Sequence, residues 1–264
     1  MIIFSLLISL VLERLRITPD SWKVEAVAER WGMWLSDHDT TKKWYQNDIG
    51  APLLLVAPAL LLALILSLNS NALVLLIINI LVLTLVLGCR PQRAALRAFL
   101  LAAHRGDDES REAQAAIIGS HGGEQLSTGQ HLVWLNFRYY FAVAFWFVLF
   151  GAAGSLAYAL LRAHADKFRT LMNWIDWVPV RIAGFGYLLV GHFSRGFPVW
   201  LKSFSQGASE QCEQLCEIAQ SAEDVAVNEG DHTSEPVALL NLARRTMILW
   251  LAVIAGATLF GWVT

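Results

Sequence analysis

Apolar positions in this chain fall into long uncharged blocks. Between Asp48 and Arg90 lie 41 consecutive uncharged residues, between Arg138 and Arg162 lie 23, and after Arg245 the remaining 19 carry no charge. A helix needs about 20 apolar residues to cross the hydrocarbon core of a bilayer. The longest block therefore holds two spans, broken at Ser67-Leu-Asn-Ser-Asn71, a polar stretch suited to a turn. The pattern predicts transmembrane helices near 51–68, 72–88, 140–162 and 246–263.

Two shorter apolar runs are ambiguous. Residues 1–12 end at Glu13 and Arg14. The run has no basic segment before it and no small-residue cleavage site after it, so it reads as a retained helix and not as a signal peptide. The second run, 182–193, is bounded by Arg181 and Arg195 and holds Gly184, Gly186 and Gly191. Its length fits a half-buried or re-entrant helix as well as a crossing. The expected fold is an all-α, polytopic helical membrane protein, one domain over 1–264. It has four firm transmembrane helices, one or two short or re-entrant hydrophobic helices, and amphipathic cytoplasmic helices.

The segments between spans carry helical signals. Thr18-Pro19 reads as a helix start. Trp22, Val27, Trp31, Trp34 and Leu35 then lie near one face, opposite Lys23, Glu25, Glu29 and Arg30. Such a helix suits the headgroup layer or the side of a helical bundle equally. Pro91 opens another helix. A third, near 207–227, sets Cys212, Leu215, Cys216, Ala219, Ala222 and Ala226 in a stripe. Residues 228–236 form a polar loop. Lys and Arg cluster in 13–50 and 89–139 and are missing from 69–71. The positive-inside rule places both basic segments in the cytoplasm.

Composition supports the same class and removes others. Of 264 residues, 56% are hydrophobic and 16% charged, and the net charge is −2. The apolar content excludes a disordered chain, and no basic excess exists to neutralise nucleic-acid phosphates. No Gly-Lys dipeptide occurs, so a Walker A loop is absent, as are His-Glu-x-x-His and Gly-x-Ser-x-Gly. Gly119-Ser-His-Gly-Gly123 lacks a lysine and reads as a loop. The seven histidines show no ligand spacing, and Cys212 and Cys216 read as small packing residues. Neither a metal nor a cofactor is expected.

The remaining candidates are polar residues at the edges of apolar runs. An ion in hydrocarbon costs about 2.5–3.5 kcal/mol on insertion scales, so it normally faces the bundle interior and has a partner there. The candidate ligand pocket comprises Glu13, Arg14, Arg105, Asp107, Asn136, Arg138, Asp176, Arg181 and His192. Pro179, read as a first-turn proline, would place Asp176 near a positive helix end.

Three stretches resemble the AmpE family. They are Leu12-Glu-Arg-Leu15, the run from Trp134 to Trp146 (WLNFRYYFAVAFW), and Ile175-Asp-Trp-Val-Pro-Val-Arg-Ile-Ala-Gly184 continuing to His192. The resemblance implies a regulatory modulator of the bacterial inner membrane, tied to β-lactamase induction and muropeptide recycling. Its implied partners are the lipid bilayer, an anionic small molecule such as a cell-wall precursor, and other membrane proteins of the induction system. A more distant similarity is to the CobD/CbiB adenosylcobinamide-phosphate synthases, through Glu13-Arg14, His104-Arg-Gly-Asp107, residues 150–158 and Asp176 to Arg181. After Tyr158, where that family has a polar Asn-Thr-x-Asp-type motif, this chain reads Ala-Leu-Leu-Arg-Ala-His-Ala-Asp166. The leading expectation is a non-catalytic modulator or sensor. The alternatives are a membrane enzyme using Glu13, Asp107 and Asp176 on a phosphate-bearing substrate, and a small transporter, for which no duplicated halves are seen.

Overall fold

The computed structural model describes residues 2–15, 24–47, 49–119, 126–208, 210–223 and 231–261, and every regular element among them is helical. Three helical stretches are long and apolar enough to cross a membrane: Gly50–Ser67 (α4), Thr128–Arg162 and Ser234–Leu259 (α13). A fourth arises if Ala72–Val86 (α5) and Arg90–Arg105 (α6), bent by 47° at a short break, are one broken span. The expected helix at 72–88 is present but ends at Val86. Its 15 residues rise about 22 Å, short of the roughly 30 Å of hydrocarbon. Leu87 is extended and Gly88 has φ 104°, which together stop the helix.

The other spans differ from expectation at their starts. Thr128–Arg162 begins well before residue 140, because Ser127 makes a capping box. The Ser127 hydroxyl accepts from the Gln130 amide at 3.1 Å, and the Ser127 amide donates to Gln130 Oε1 at 2.8 Å. Within this stretch, Thr128–Asn136 (α8) passes through a π-turn at Phe137–Phe141 into Ala142–Arg162 (α9). Gly151, at φ 65° and ψ −157°, interrupts α9. The last span begins at Ser234, where Asp231 Oδ1 accepts from the amides of Thr233 and Ser234 at 2.9 and 3.1 Å.

The chain divides into two compact units. The first comprises Met1–Gly88, Ala142–Met172 and Ile254–Thr264. It contains Ile2–Arg14 (α1), Val24–Asp37 (α2), Asp39–Tyr45 (α3), α4, α5 and α9, and the latter packs against α1, α2, α4 and α5. Asn71 caps α5 by accepting from the Leu73 amide at 3.0 Å, so the polar break at 67–71 turns the chain as expected. The start of the amphipathic helix, Thr18, Pro19, Trp22 and Lys23, lies outside the described residues. Its buried stripe is Val24, Ala28, Gly32 and Leu35. Val27 and Trp34, expected on the covered face, are exposed. The stripe is displaced because α2 packs on α3, α4 and α9, with the Trp31 indole donating to Leu54 O at 3.2 Å.

The second unit comprises Cys89–Phe141 and Asn173–Val253. It holds α6, Asp108–Gly119 (α7) and α8, which join around Leu96, Phe99, Ile118, Leu132 and Leu135. It also holds Phe193–Ser205 (α11), which packs on Gln211–Ala222 (α12), while α12 packs on α8. The stripe on α12 is buried at Leu215, Cys216, Ala219 and Ala222. Residues 120–123 of the glycine-rich loop and 224–230 lie outside the described residues. The short apolar run at 182–193 is corrected. It belongs to a 22-residue helix, Arg169–Val190 (α10), which continues through both Asp176 and Arg181. Pro179 sits inside this helix and does not open it.

Gly88 gives a direct test of the packing in the first unit. A Cβ there would meet the Glu13 carboxylate, and its φ lies where side chains are rarely tolerated. Strain of that kind costs about 1–3 kcal/mol before the collision is counted. Gly106 also has positive φ (70°) but has nothing within 4 Å of the added Cβ. Gly88→Ala should lower the thermal midpoint of the detergent-solubilised protein clearly more than Gly106→Ala. Equal shifts would mean that Glu13 does not pack against the Gly88 backbone.

Candidate functional site

The second unit brings two of the sequence candidates together. Arg138 stands on the π-turn that follows α8, and Asp176 stands in mid-helix on α10. Arg138 Nη2 lies 3.5 Å from Asp176 Oδ2, and the side chains are 14% and 0% exposed. A π-turn inserts one residue into the helical ladder and rotates the residues after it, which re-aims a side chain with little change in length. The Arg138 guanidinium also lies 4.6 Å from the Trp134 ring centroid, a cation–π contact made one turn back along the chain. Because Pro179 is internal, Asp176 is not held by a helix N-terminus, and a cation is what neutralises it. Asn136, the last residue of α8, precedes the π-turn and is half-buried.

Arg181 has different surroundings. It is 4% exposed and donates to neutral oxygens. Nη1 reaches Trp177 O at 3.0 Å and Gln211 Oε1. Nη2 reaches Ser203 O at 2.5 Å, Gly207 O at 3.0 Å and Gln214 Oε1 at 3.0 Å. The Trp177 ring lies 4.5 Å from its carbon centre, and Trp200 Nε1 donates back to Arg181 O at 2.9 Å. Among the described residues no carboxylate pairs with it. The planar fork of donors lets one side chain fasten α10 to α11 and α12. Arg181 is thus a structural hub of the second unit, its Nη donors already engaged.

The first unit holds Glu13 and Arg14 at the end of α1. Glu13 is buried at 3% exposure against Gly88, whereas Arg14 is exposed. This unit also contains an ion pair that sequence reasoning misses. Arg162 Nη2 meets Glu25 Oε1 at 2.6 Å, with side chains 3% and 28% exposed. In the sequence Arg162 marks only the end of a span and Glu25 only a solvated face. Their joint signal is a lone cation closing an apolar block and a carboxylate near the start of an amphipathic helix. Gln211 and Gln214 are missed as well, although their three-residue spacing puts two amides on one helix face.

The other candidates sit at helix ends. Arg105 closes α6 and is exposed, and Gly106 caps that helix in the left-handed conformation. Asp107 Oδ1 accepts from the Ser110 amide at 3.0 Å, capping α7. His192 is exposed at the cap of α11, where its backbone amide donates to Ala222 O at 2.7 Å. His104-Arg-Gly-Asp107 is therefore a helix-to-helix turn. Among the described residues no cluster of three or more His, Cys, Asp or Glu is placed to hold a metal. A hydrogen bond with Cys212, together with burial, pushes the Cys216 thiol up, away from reactivity.

Removing Arg181 strands several buried oxygens at about 1–3 kcal/mol each. Arg181→Leu should therefore abolish accumulation or strongly lower the thermal midpoint, with Arg181→Lys intermediate; wild-type stability in the leucine variant would refute the hub. Asp107 is held below its ordinary value by its hydrogen bonds from Ser110. Its capping contribution is complete above the free carboxylate value of about 3.9 and fades as pH falls through the lower folded value. Exchange protection of the Ser110 amide should persist below pH ~3.9 in the wild type and be weaker throughout in Asp107→Ala. Equal protection in the two proteins would remove the cap.

Comparison with known proteins gives the chain a family. The family model described as "Regulatory signalling modulator protein AmpE" matches residues 1–264. The protein AmpE of Shigella flexneri is 31% identical over 205 residues, which cover 67% of this chain and 71% of that protein. No solved structure matches the chain. These comparisons show no likeness to the CobD/CbiB synthases, and the enzyme reading gains no support from them. The chain belongs to the AmpE family of regulatory signalling modulators.

Proposed function

We propose that this protein is a regulatory modulator of the bacterial inner membrane that adjusts β-lactamase induction to the state of the cell wall. In this reading an anionic ligand, such as a muropeptide or wall precursor, binds at Arg138. The observation that carries the proposal is the Arg138–Asp176 pair on a π-turn within a membrane-length helix. At 3.5 Å the pair is longer than the roughly 2.7–2.9 Å of a tight charge-assisted hydrogen bond. An arriving carboxylate or phosphate can compete with Asp176 for the same guanidinium. Displacement would take the Arg138 cation away from the buried Asp176 and favour a shift of this end of α10. The binding event would thereby become a movement of α10, with the basic segments 13–50 and 89–139 on the cytoplasmic side to report it. The family's character as signalling modulators agrees with this role. The enzyme alternative loses one of its three carboxylates, because Asp107 is exposed and engaged in capping α7.

Asp176→Asn removes the competing charge while keeping the shape. Cells carrying it should show an altered β-lactamase response to a wall-active antibiotic, with the protein present in the membrane at the wild-type level. Arg138→Gln should abolish both the response and the binding of a muramyl peptide to the purified protein. Normal induction with both variants, at normal membrane levels, would rule out the pair as the switch.

A further inference from the structure

The second unit contains an aromatic cleft of about 340 Å³ that none of the preceding roles uses. Its walls come from Trp177, Ile182 and Phe185 on α10, Trp200 and Phe204 on α11, and Trp250 on α13. Its volume lies near the lower end of the roughly 300–1,000 Å³ usual for ligand pockets. We propose that this cleft binds the hydrocarbon chain of a membrane lipid.

Three observations select that occupant. First, the surface lining the cleft is entirely apolar, although Arg181 lies in its wall. The guanidinium sits against the Trp177 and Phe204 rings, at 4.5 and 5.7 Å. Its Nη donors are committed to Ser203, Gly207, Gln211, Gln214 and Trp177. Those donors hold the walls together, and Arg181 Nε and Trp250 Nε1 are buried beneath the lining surface, so the cleft presents no accessible seat for a carboxylate or phosphate. Second, the cleft is continuous with an apolar stripe along α10. Trp174, Val178 and Leu189, spaced along the same face as Ile182 and Phe185, are 65%, 43% and 52% exposed. Third, the wall contributed by Trp250 belongs to a membrane-length helix, whose neighbouring Ile248 and Val253 are 66% and 48% exposed. Apolar surface of that extent needs an apolar cover, and a bilayer supplies one to a chain with membrane-length helices. A chain from the surrounding lipid can pass from this stripe into the cleft without crossing a polar barrier.

The walls are held in place on both sides. Gly186 lets α10 approach α13 so closely that an added Cβ would stand 2.5 Å from Trp250 Nε1 and 2.6 Å from Thr246 Cγ2. On the other side Trp200 is tied to Arg181 O. Rigid aromatic walls lose little side-chain entropy when a flexible chain is captured, which favours occupancy.

The test uses the full chain reconstituted in phosphatidylethanolamine–phosphatidylglycerol vesicles. These are doped with a phosphatidylcholine bearing a photoreactive diazirine at its chain end, and adducts are mapped by mass spectrometry. Labelling at Trp177, Phe185, Trp200 or Phe204 should exceed that at Leu64, an ordinary exposed apolar position on α4, by several-fold. Ile182→Trp fills the cleft and should lose that excess while Leu64 labelling stays constant. Val178→Phe provides a second, milder obstruction should the first variant fail to accumulate. Cleft labelling no higher than at Leu64, or unchanged in both variants, would overturn the proposal. Because the readout is independent of muramyl-peptide binding and of induction, it stands or falls separately from the role assigned to Arg138.

Discussion

An ion placed in an apolar helix must be matched inside the protein, and this constraint organises the molecule. Leaving it unmatched at the bilayer centre costs about 2.5–3.5 kcal/mol or more, a sizeable part of a protein's total stability. Among the described residues, three largely buried arginines show two kinds of solution. Arg138 meets a buried carboxylate, Asp176. Arg162 meets Glu25 at the end of an apolar helix. Arg181 gives its Nη donors to carbonyl and amide oxygens and rests on an aromatic face. The first two create charge-neutral pairs that a competing ion can disturb. The third is a net cation held by dipoles, which suits a permanent fastening better than a switch.

In the proposed reading, this difference separates the switch from the scaffold within a single helix. Asp176 and Arg181 are five residues apart on α10 and both are buried, yet they serve opposite ends. Arg181 fixes α10 to α11 and α12 through several acceptors, so its position is over-determined. Asp176 lies 3.5 Å from Arg138, which stands on a π-turn, an element already displaced from regular helical geometry. In the proposed reading, a ligand acting at Arg138 would move the Asp176 end of α10, with the Arg181 end as the fixed reference. The aromatic cleft is a by-product of the same fastening, because the oxygens that bind Arg181 draw α11 against α10.

The apolar helices are legible in the sequence because hydrocarbon acts on composition alone. Gly50–Ser67 and Ser234–Leu259 need no tertiary information to be found, although their starts depend on local caps such as Asp231. The sequence is less informative about α10. Arg181 looks like a boundary because its acceptors Gln211, Gln214, Ser203 and Gly207 lie 22 to 33 residues further on. Only folding brings them within reach. For the same reason Pro179 looks like a helix start. The candidate site is legible as a set of costly residues and not as a set of partners. Arg138 and Asp176 both belong to that set, but nothing in their spacing says that they meet. Asp107 and Arg105 belong to it too, and their positions at a helix-to-helix turn are explained by capping without any ligand.

The most direct test of the internal-matching account is a double-mutant cycle between Arg138 and Asp176. The thermal stability of wild type, Arg138→Gln, Asp176→Asn and the double variant would be measured in one lipid composition. Residues sharing a buried ion pair couple by about 0.5–3 kcal/mol, so the double variant should lose clearly less than the two single losses combined. Strict additivity would mean that the two ions are stabilised separately, and the account given for α10 and its switch would be wrong.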